Sequence, residues 1–362
     1  MTLQAAIAAH RAGDLDQAEA LYRLAIAGRD APAALANLGM IHAAQGRAAE
    51  AEAAYLRAIE LRPSATARRN LANLYMRTGR LDEAEAAYLA LIAEDAEDHA
   101  ARHSLGNLRL WRGDPTGWWL YSSRPERLKC PAKGLSYPEW DGRPLTDKRL
   151  FIYGEQGFGD QIFAARYIAG LGAKAVTLTT APQLASLFRQ LPAAVVPRVG
   201  KLSAADHDYW TQPLSLPCWA EPAETPYLRV EPRQAGGVGL MGRGNIAPDP
   251  GRSLPEDITA DLQQRLGAIS LQPEDTGAID FRMTAGIVAG LDFVVTIDTS
   301  VAHLAGALGR PGVVLLQHHS CDWRWRADSR GYSIWYPSLR VVRQPSAGDW
   351  QSAIEEVVAS LA

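Results

Sequence analysis

Four glycines, Gly13, Gly46, Gly79 and Gly113, fall 33, 33 and 34 residues apart. Few folds tolerate so regular a step. Ala18, Ala51 and Ala84 keep it, as do Tyr22, Tyr55 and Tyr88. The pairs Leu38-Gly39, Leu71-Ala72 and Leu105-Gly106 keep it within one residue. Between these marks the chain is rich in Ala, Leu and Glu, which favour helix, and Pro32 and Pro63 punctuate the repeat ends. A period of this length signals a two-helix unit that cannot bury its apolar face alone and must stack on copies of itself. The glycine ends the first helix of each unit and lets the chain turn. The alanine lets the two helices approach, and the tyrosine fills the gap to the next unit.

The pattern resembles the tetratricopeptide repeat, with about three and a half repeats over residues 1–113. The resemblance implies an α-solenoid with a concave face that binds a protein or peptide; a purely structural cap for the next domain is the alternative. Asn37 and Asn70 stand one repeat apart on the first helix of their units, the helix that lines the groove in this family. Amides repeated there can hydrogen-bond an extended peptide backbone without reading its sequence, as in the asparagine ladder of O-GlcNAc transferase repeats. The third equivalent is Ser104 or His103, so this ladder is short. Surface asparagines with no ligand are the alternative.

Composition narrows the rest. At 362 residues the chain has room for two or three domains. Its net charge of −3 suggests no nucleic acid or other polyanion as partner. Three scattered cysteines, Cys130, Cys218 and Cys321, form no CxxC pair and predict reduced thiols, no structural zinc and a cytoplasmic location. The first residues lack the basic start and apolar core of a signal peptide, and no uncharged run is long enough to span a membrane. All ten tryptophans lie at or after Trp111. Residues 114–148, rich in Trp and Pro, therefore read as a rigid joint rather than a flexible linker.

From residue 149 onward strands and helices alternate, which predicts parallel α/β sheets. Strands are expected over 150–153, 175–180, 193–199, 237–241, 268–271, 293–297 and 312–316, with a short one within 209–216. Helices are expected from 162 to about 169 and over 183–191, 257–266, 281–289, 301–308 and 349–360. A proline-rich crossing, Pro217 to Pro226, divides the region into halves at 149–217 and 227–362. Two such halves enclose a cleft at the C-terminal ends of their strands.

Two strand ends carry candidate chemistry. The first is GEQGFGD, with Gly154, Gly157, Gly159 and Asp160 leading into a helix. Its spacing is neither the dinucleotide fingerprint nor a P-loop. A helix start favours anions, so a carboxylate there suits a general base; an ordinary turn with Asp160 as N-cap is the alternative. The second is Asp298-Thr299-Ser300 followed by an alanine-rich helix with His303. Small hydroxyls at a helix start can hold a pyrophosphate; a capped core helix with a buried His303 is the alternative.

Taken in chain order, PEWDGRPL, GEQGFGD, DTSVAHLA and DWRW resemble the glycosyltransferase family 9 (ADP-heptose) enzymes and the bacterial proteins that fuse tetratricopeptide repeats to such a domain. The resemblance implies an α-solenoid followed by a compact GT-B fold of two Rossmann-like halves, the class α + α/β. It implies an inverting, metal-independent transferase with no cofactor, using a nucleotide-sugar as substrate. Asp160 would be the general base, with Gly157 and Gly159 shaping its turn. Thr299 and Ser300 would hold donor phosphates, Asp298 sugar hydroxyls, and His303 would support that loop. Arg252 would neutralise the departing nucleotide, and Gln272 would contact base or ribose. The acceptor implied is a Ser or Thr of a protein, flagellin among relatives. The sequence departs from the family at Leu240 to Asn245 and in the proline-containing loop 246–251, which carries few basic residues. Two other readings stay open: a protein-binding scaffold with a degenerate transferase domain, and a heptosyltransferase-like enzyme with a glycan acceptor.

Overall fold

The computed structural model describes residues 2–199, 206–233, 236–245, 250–319 and 322–361. Cys321 and loop residues 246–249 therefore lie outside the described residues. The chain forms two compact units, residues 1–124 and 125–362.

The first unit is a run of helical hairpins: α1 (Thr2–Ala12) with α2 (Leu15–Ala25), α3 (Ala31–Ala44) with α4 (Ala48–Leu61), α5 (Ala65–Arg77) with α6 (Leu81–Glu94), and α7 (His99–Arg112) with the short α8 (Gly117–Tyr121). The four periodic glycines turn each hairpin at φ between 75° and 83°, where a side chain is strained. Ala18, Ala51 and Ala84 are fully buried, and Tyr22, Tyr55 and Tyr88 nearly so. Asp14, Ser64 and Asp98 cap α2, α5 and α7 by accepting backbone N–H bonds. One feature of the period is electrostatic: Arg47 donates to Glu19, Arg80 to Glu52 and Arg112 to Glu85, each tying one hairpin to the next. Successive first helices, α3 with α5 and α5 with α7, share a face.

The second unit begins with α9 (Pro125–Leu128) and then builds two sheets. The first half holds β1 (Arg149–Tyr153), α10 (Phe158–Ala164), β2 (Ala175–Thr180), α11 (Pro182–Phe188), β3 (Ala194–Pro197) and β4 (Tyr209–Thr211). Its strands are all parallel, in the order β3-β2-β1-β4. The second half holds β5 (Val238–Met241), α12 (Glu256–Leu266), β6 (Ile269–Ser270), α13 (Pro273–Thr276), α14 (Phe281–Gly290), β7 (Phe293–Ile297), α15 (Ser300–Ala307), β8 (Gly312–Leu316), β9 (Leu339–Arg343) and α16 (Trp350–Leu361). These strands too are parallel, in the order β6-β5-β7-β8-β9. Helix-covered parallel strands are apolar on both faces, and β8 is buried at every residue. The fold is an α-solenoid followed by two Rossmann-like halves, the GT-B layout.

Three expectations need correction. The helix after the glycine turn starts at Phe158, so Gly157 is its N-cap and Asp160 its third residue. It gives way at Ala165 to a 3-10 turn, Ala165–Tyr167, short of the expected 169. Strand β9 and the single turn α13 are additional elements.

The halves pack directly on each other. Arg166, 3% exposed, lies over the rings of Phe163, Tyr227 and Tyr336 at 4.5, 4.8 and 4.7 Å. Its Nη1 donates to the Trp335 carbonyl at 3.1 Å. Ser186 Oγ donates to Asp280 at 2.8 Å. The proline-rich link crosses beneath α15, where the Tyr227 and Leu228 amides donate to the Ala307 carbonyl.

Candidate active site

In a parallel sheet, a crevice opens outside the carboxyl ends of two neighbouring strands whose connections run to opposite sides. The first sheet reverses between β1 and β4, and the second between β5 and β7. The loop after β1 is the glycine turn ending at Asp160. The loop after β7 is Asp298-Thr299. Both motifs thus stand where strand order alone puts a ligand crevice.

The glycine turn is tightly specified. Gln156 has φ 56, a value that costs a non-glycine residue about 1–3 kcal/mol. Such strain persists only where surroundings hold it. Here Arg198 Nη1 donates to the Gly154 carbonyl at 2.6 Å, and the buried Glu155 accepts the Leu214 amide at 3.0 Å. The second bond ties the loop after β1 to the loop after β4. Asp160 Oδ2 accepts the Gly157 amide at 3.1 Å. Its Oδ1 accepts Arg324 Nη2, from the other half, at 2.5 Å.

After β7, Thr299 caps α15 in an extended conformation, and its hydroxyl meets that of Thr296 at 3.2 Å. Ser300 opens the helix, where N–H groups point outward. Arg252 donates from Nε and Nη2 to the Asn245 carbonyl at 3.2 and 2.9 Å. Gly244 lies between Arg252 and Thr299, so close to both that a Cβ there would meet them at 3.1 and 3.3 Å. Burial pushes the Asp298 carboxyl up to about 6, the negative Asp322 adds to this, and Trp325, Arg324 and Arg252 offset part of it.

His303 lies between the two sides. Its Nδ1 is 2.9 Å from the Tyr336 hydroxyl, and its ring stacks 4.8 Å from that of Trp325. Burial, with Arg324 and Arg166 nearby, holds it well below the usual imidazole value. It is a neutral packing residue that joins α15 to the glycine turn.

The fold links most of the expected site residues: Asp160 to Gly157 and Arg324, Gly159 to His303, and Gly244 to both Arg252 and Thr299, with Asp298 and Ser300 flanking Thr299 in the chain. Gln272 stands one strand further out, after β6, where its Nε2 donates to the Arg243 carbonyl at 3.1 Å. Asn37 and Asn70 belong to the other unit, on α3 and α5. Asn37 is hydrogen-bonded to the Tyr22 hydroxyl, so that rung has a partner in the preceding repeat. The residue that sequence reasoning missed is Arg324. Its signal was present, an arginine between two tryptophans in a motif already singled out.

Comparison with known proteins gives the following. Three overlapping stretches, 3–66, 52–99 and 69–117, match the tetratricopeptide repeat, and the N-terminal unit is an array of these repeats. Protein FlbA of Caulobacter vibrioides is 25% identical over an alignment covering 68% of this chain and 52% of that protein. The chain thus spans about half the length of the curated relative it matches. Among solved structures, the O-GlcNAc transferase of Thermobaculum terrenum is similar at 15% identity and TM-score 0.37, covering 89% of this chain and 82% of that one. A family 9 glycosyl transferase of Veillonella parvula is similar at 12% identity and TM-score 0.40, covering 61% and 90%. The E. coli heptosyltransferase WaaC with ADP is similar at 14% identity and TM-score 0.39, covering 59% and 98%. No described helix is long and apolar enough to cross a membrane.

Proposed function

We propose that this chain is an inverting glycosyltransferase that moves a sugar from a nucleotide-sugar to a hydroxyl on a protein held by the repeats. One observation carries the reading. A carboxylate at the switch point of one parallel sheet, Asp160, and a helix start bearing two hydroxyls at the switch point of the other, Thr299-Ser300, are connected by contacts through Arg324 and His303.

In this reading the donor lies against the second half. Its phosphates take the outward N–H groups of α15 and the Thr299 and Ser300 hydroxyls. Arg252 and the helix start supply the positive charge that the departing nucleotide needs, so the mechanism calls on no metal. Asp298 accepts from sugar hydroxyls, and Gln272 reaches base or ribose from the rim. The acceptor hydroxyl approaches from the glycine turn. Asp160 takes its proton as the oxygen attacks the anomeric carbon from the side opposite the nucleotide. Direct displacement inverts that centre. A positioned base of this kind contributes about 10²–10⁴-fold.

The repeats favour a protein acceptor, a Ser or Thr in an extended segment. Asn37 and Asn70 are the candidate peptide contacts, Asn37 sharing one hydrogen bond with Tyr22 and keeping further amide capacity. Flagellin is the first acceptor to test. Full-length chain, acceptor protein and a panel of nucleotide-sugars would be incubated and the acceptor weighed by intact mass spectrometry. A mass increment of one sugar, absent with Asp160→Ala, supports the reading. Transfer to a free glycan but to no protein would move it to the heptosyltransferase-like alternative.

A further inference from the structure

The turn Trp323–Trp325 follows β8, and its arginine crosses from the second half to the first. The two ends of that guanidinium are held differently. Nη1 donates to both oxygens of Asp322, at 3.0 and 3.1 Å, within its own half. Nη2 donates to Asp160 Oδ1. The plane lies over the Trp323 ring, 4.2 Å from its centroid. Trp323 and Trp325 are buried, the first against Phe163 and the second against His303. Arg324 is thus fixed at one end and bridges to the candidate base at the other. Its charge also acts on Asp298, at the start of the helix assigned to the donor.

We propose that Arg324 passes its Nη2 pairing from Asp160 to the phosphate of the leaving nucleotide during transfer. The inference rests on the transferase reading above. The charge balance makes the case. The acceptor proton moves to Asp160, and the acceptor oxygen bonds to the anomeric carbon. The bond from that carbon to the phosphate oxygen breaks, and its electron pair stays on the phosphate. Asp160 loses one negative charge while the phosphate gains one. A cation held between the two ends serves the carboxylate before the step and the phosphate after it, with little reorganisation. Arginine suits this because its fork can hold two acceptors at once. Asp322 keeps Nη1 in place while Nη2 changes partner.

The test is nucleotide binding, read by calorimetry on the full chain with ADP, GDP, UDP and CMP in turn. Asp160→Asn removes the competing charge and leaves Arg324 to the phosphate, so it should tighten binding on the order of tenfold, a coupling in the range of neighbouring groups. Arg324→Gln should weaken binding, and the double variant should match Arg324→Gln with no gain from Asp160→Asn. Arg324→Lys, which keeps the charge, should recover part of that gain and guards against a variant that fails to fold. A gain that survives without Arg324, or no gain at all in a chain that binds nucleotide, overturns the proposal alone. Binding by no variant and not by the parent chain overturns the transferase reading and the proposal together.

Discussion

The ring of His303 lies so close to Gly159 that a Cβ on that glycine would stand 2.5 Å from His303 Cδ2. The start of α10 and the body of α15 are in contact through a missing side chain, and this contact holds the glycine turn that carries Asp160 against the helix that Thr299 caps. Gly159→Ala is expected to force the two apart, at a cost of about 1–3 kcal/mol. Its thermal unfolding midpoint should fall, and sugar transfer should fall with it. An unchanged midpoint would mean that the two helices yield freely there.

Asp160→Ala should lower single-turnover transfer by about 10²–10⁴-fold while nucleotide binding persists. The two losses separate a base from a structural carboxylate. If binding is lost along with transfer, Asp160 is holding the cleft together rather than taking a proton.

Asp298 gives the site a pH dependence. Its carboxyl, pushed up to about 6, carries its full negative charge only above that value. An anionic donor should therefore bind more tightly as pH falls from about 7.5 to 5.5, and Asp298→Asn should flatten the profile. A nucleotide-sugar is the right probe, because its phosphodiester groups do not titrate in that window. The same shift bears on stability. A folded-state value raised above 3.8 favours the native state at low pH and costs stability as pH rises through about 6. Asp298→Asn should thus raise the unfolding midpoint at pH 7.5 and leave it nearly unchanged at pH 4. His303, neutral and held low by burial, should add no step near 6.5.

In the repeats the hydrogen bond from Arg47 holds the Glu19 carboxyl below its ordinary 4.5. A depressed carboxylate contributes stability that is present above the ordinary value and lost as pH falls below it. Circular-dichroism melts of Glu19→Gln and the parent chain should differ at pH 7, and the difference should shrink as pH falls below 4.5. A difference that stays constant from pH 7 down through the acid range would assign the effect to packing instead.

The parts legible in the sequence were those with local or periodic causes. The expected strands at 293–297 and 312–316 appear as Phe293–Ile297 and Gly312–Leu316, because central parallel strands are apolar on both faces and stand out. The repeat glycines and tyrosines were legible for the same reason: each answers to one fixed place in a hairpin. Strand β9 was not. It is an edge strand carrying Arg340 and Arg343, and its pattern reads as surface. The Glu19–Arg47 ladder keeps the period too, but charged residues are common on every helix and carry no mark of their partners. Asp160 and Arg324 lie 164 residues apart. Each could be singled out alone, but only the fold makes them a pair.

The most direct measurement is a thermal-shift titration of the full chain with UDP, GDP, ADP, CMP and their sugars. A working donor site predicts stabilisation by one nucleotide class, growing with concentration as binding to the native state requires, and reduced in Thr299→Ala and Arg252→Ala. No shift with any nucleotide at millimolar concentration would contradict it and leave the repeats as the functional part, carried on a transferase-like scaffold.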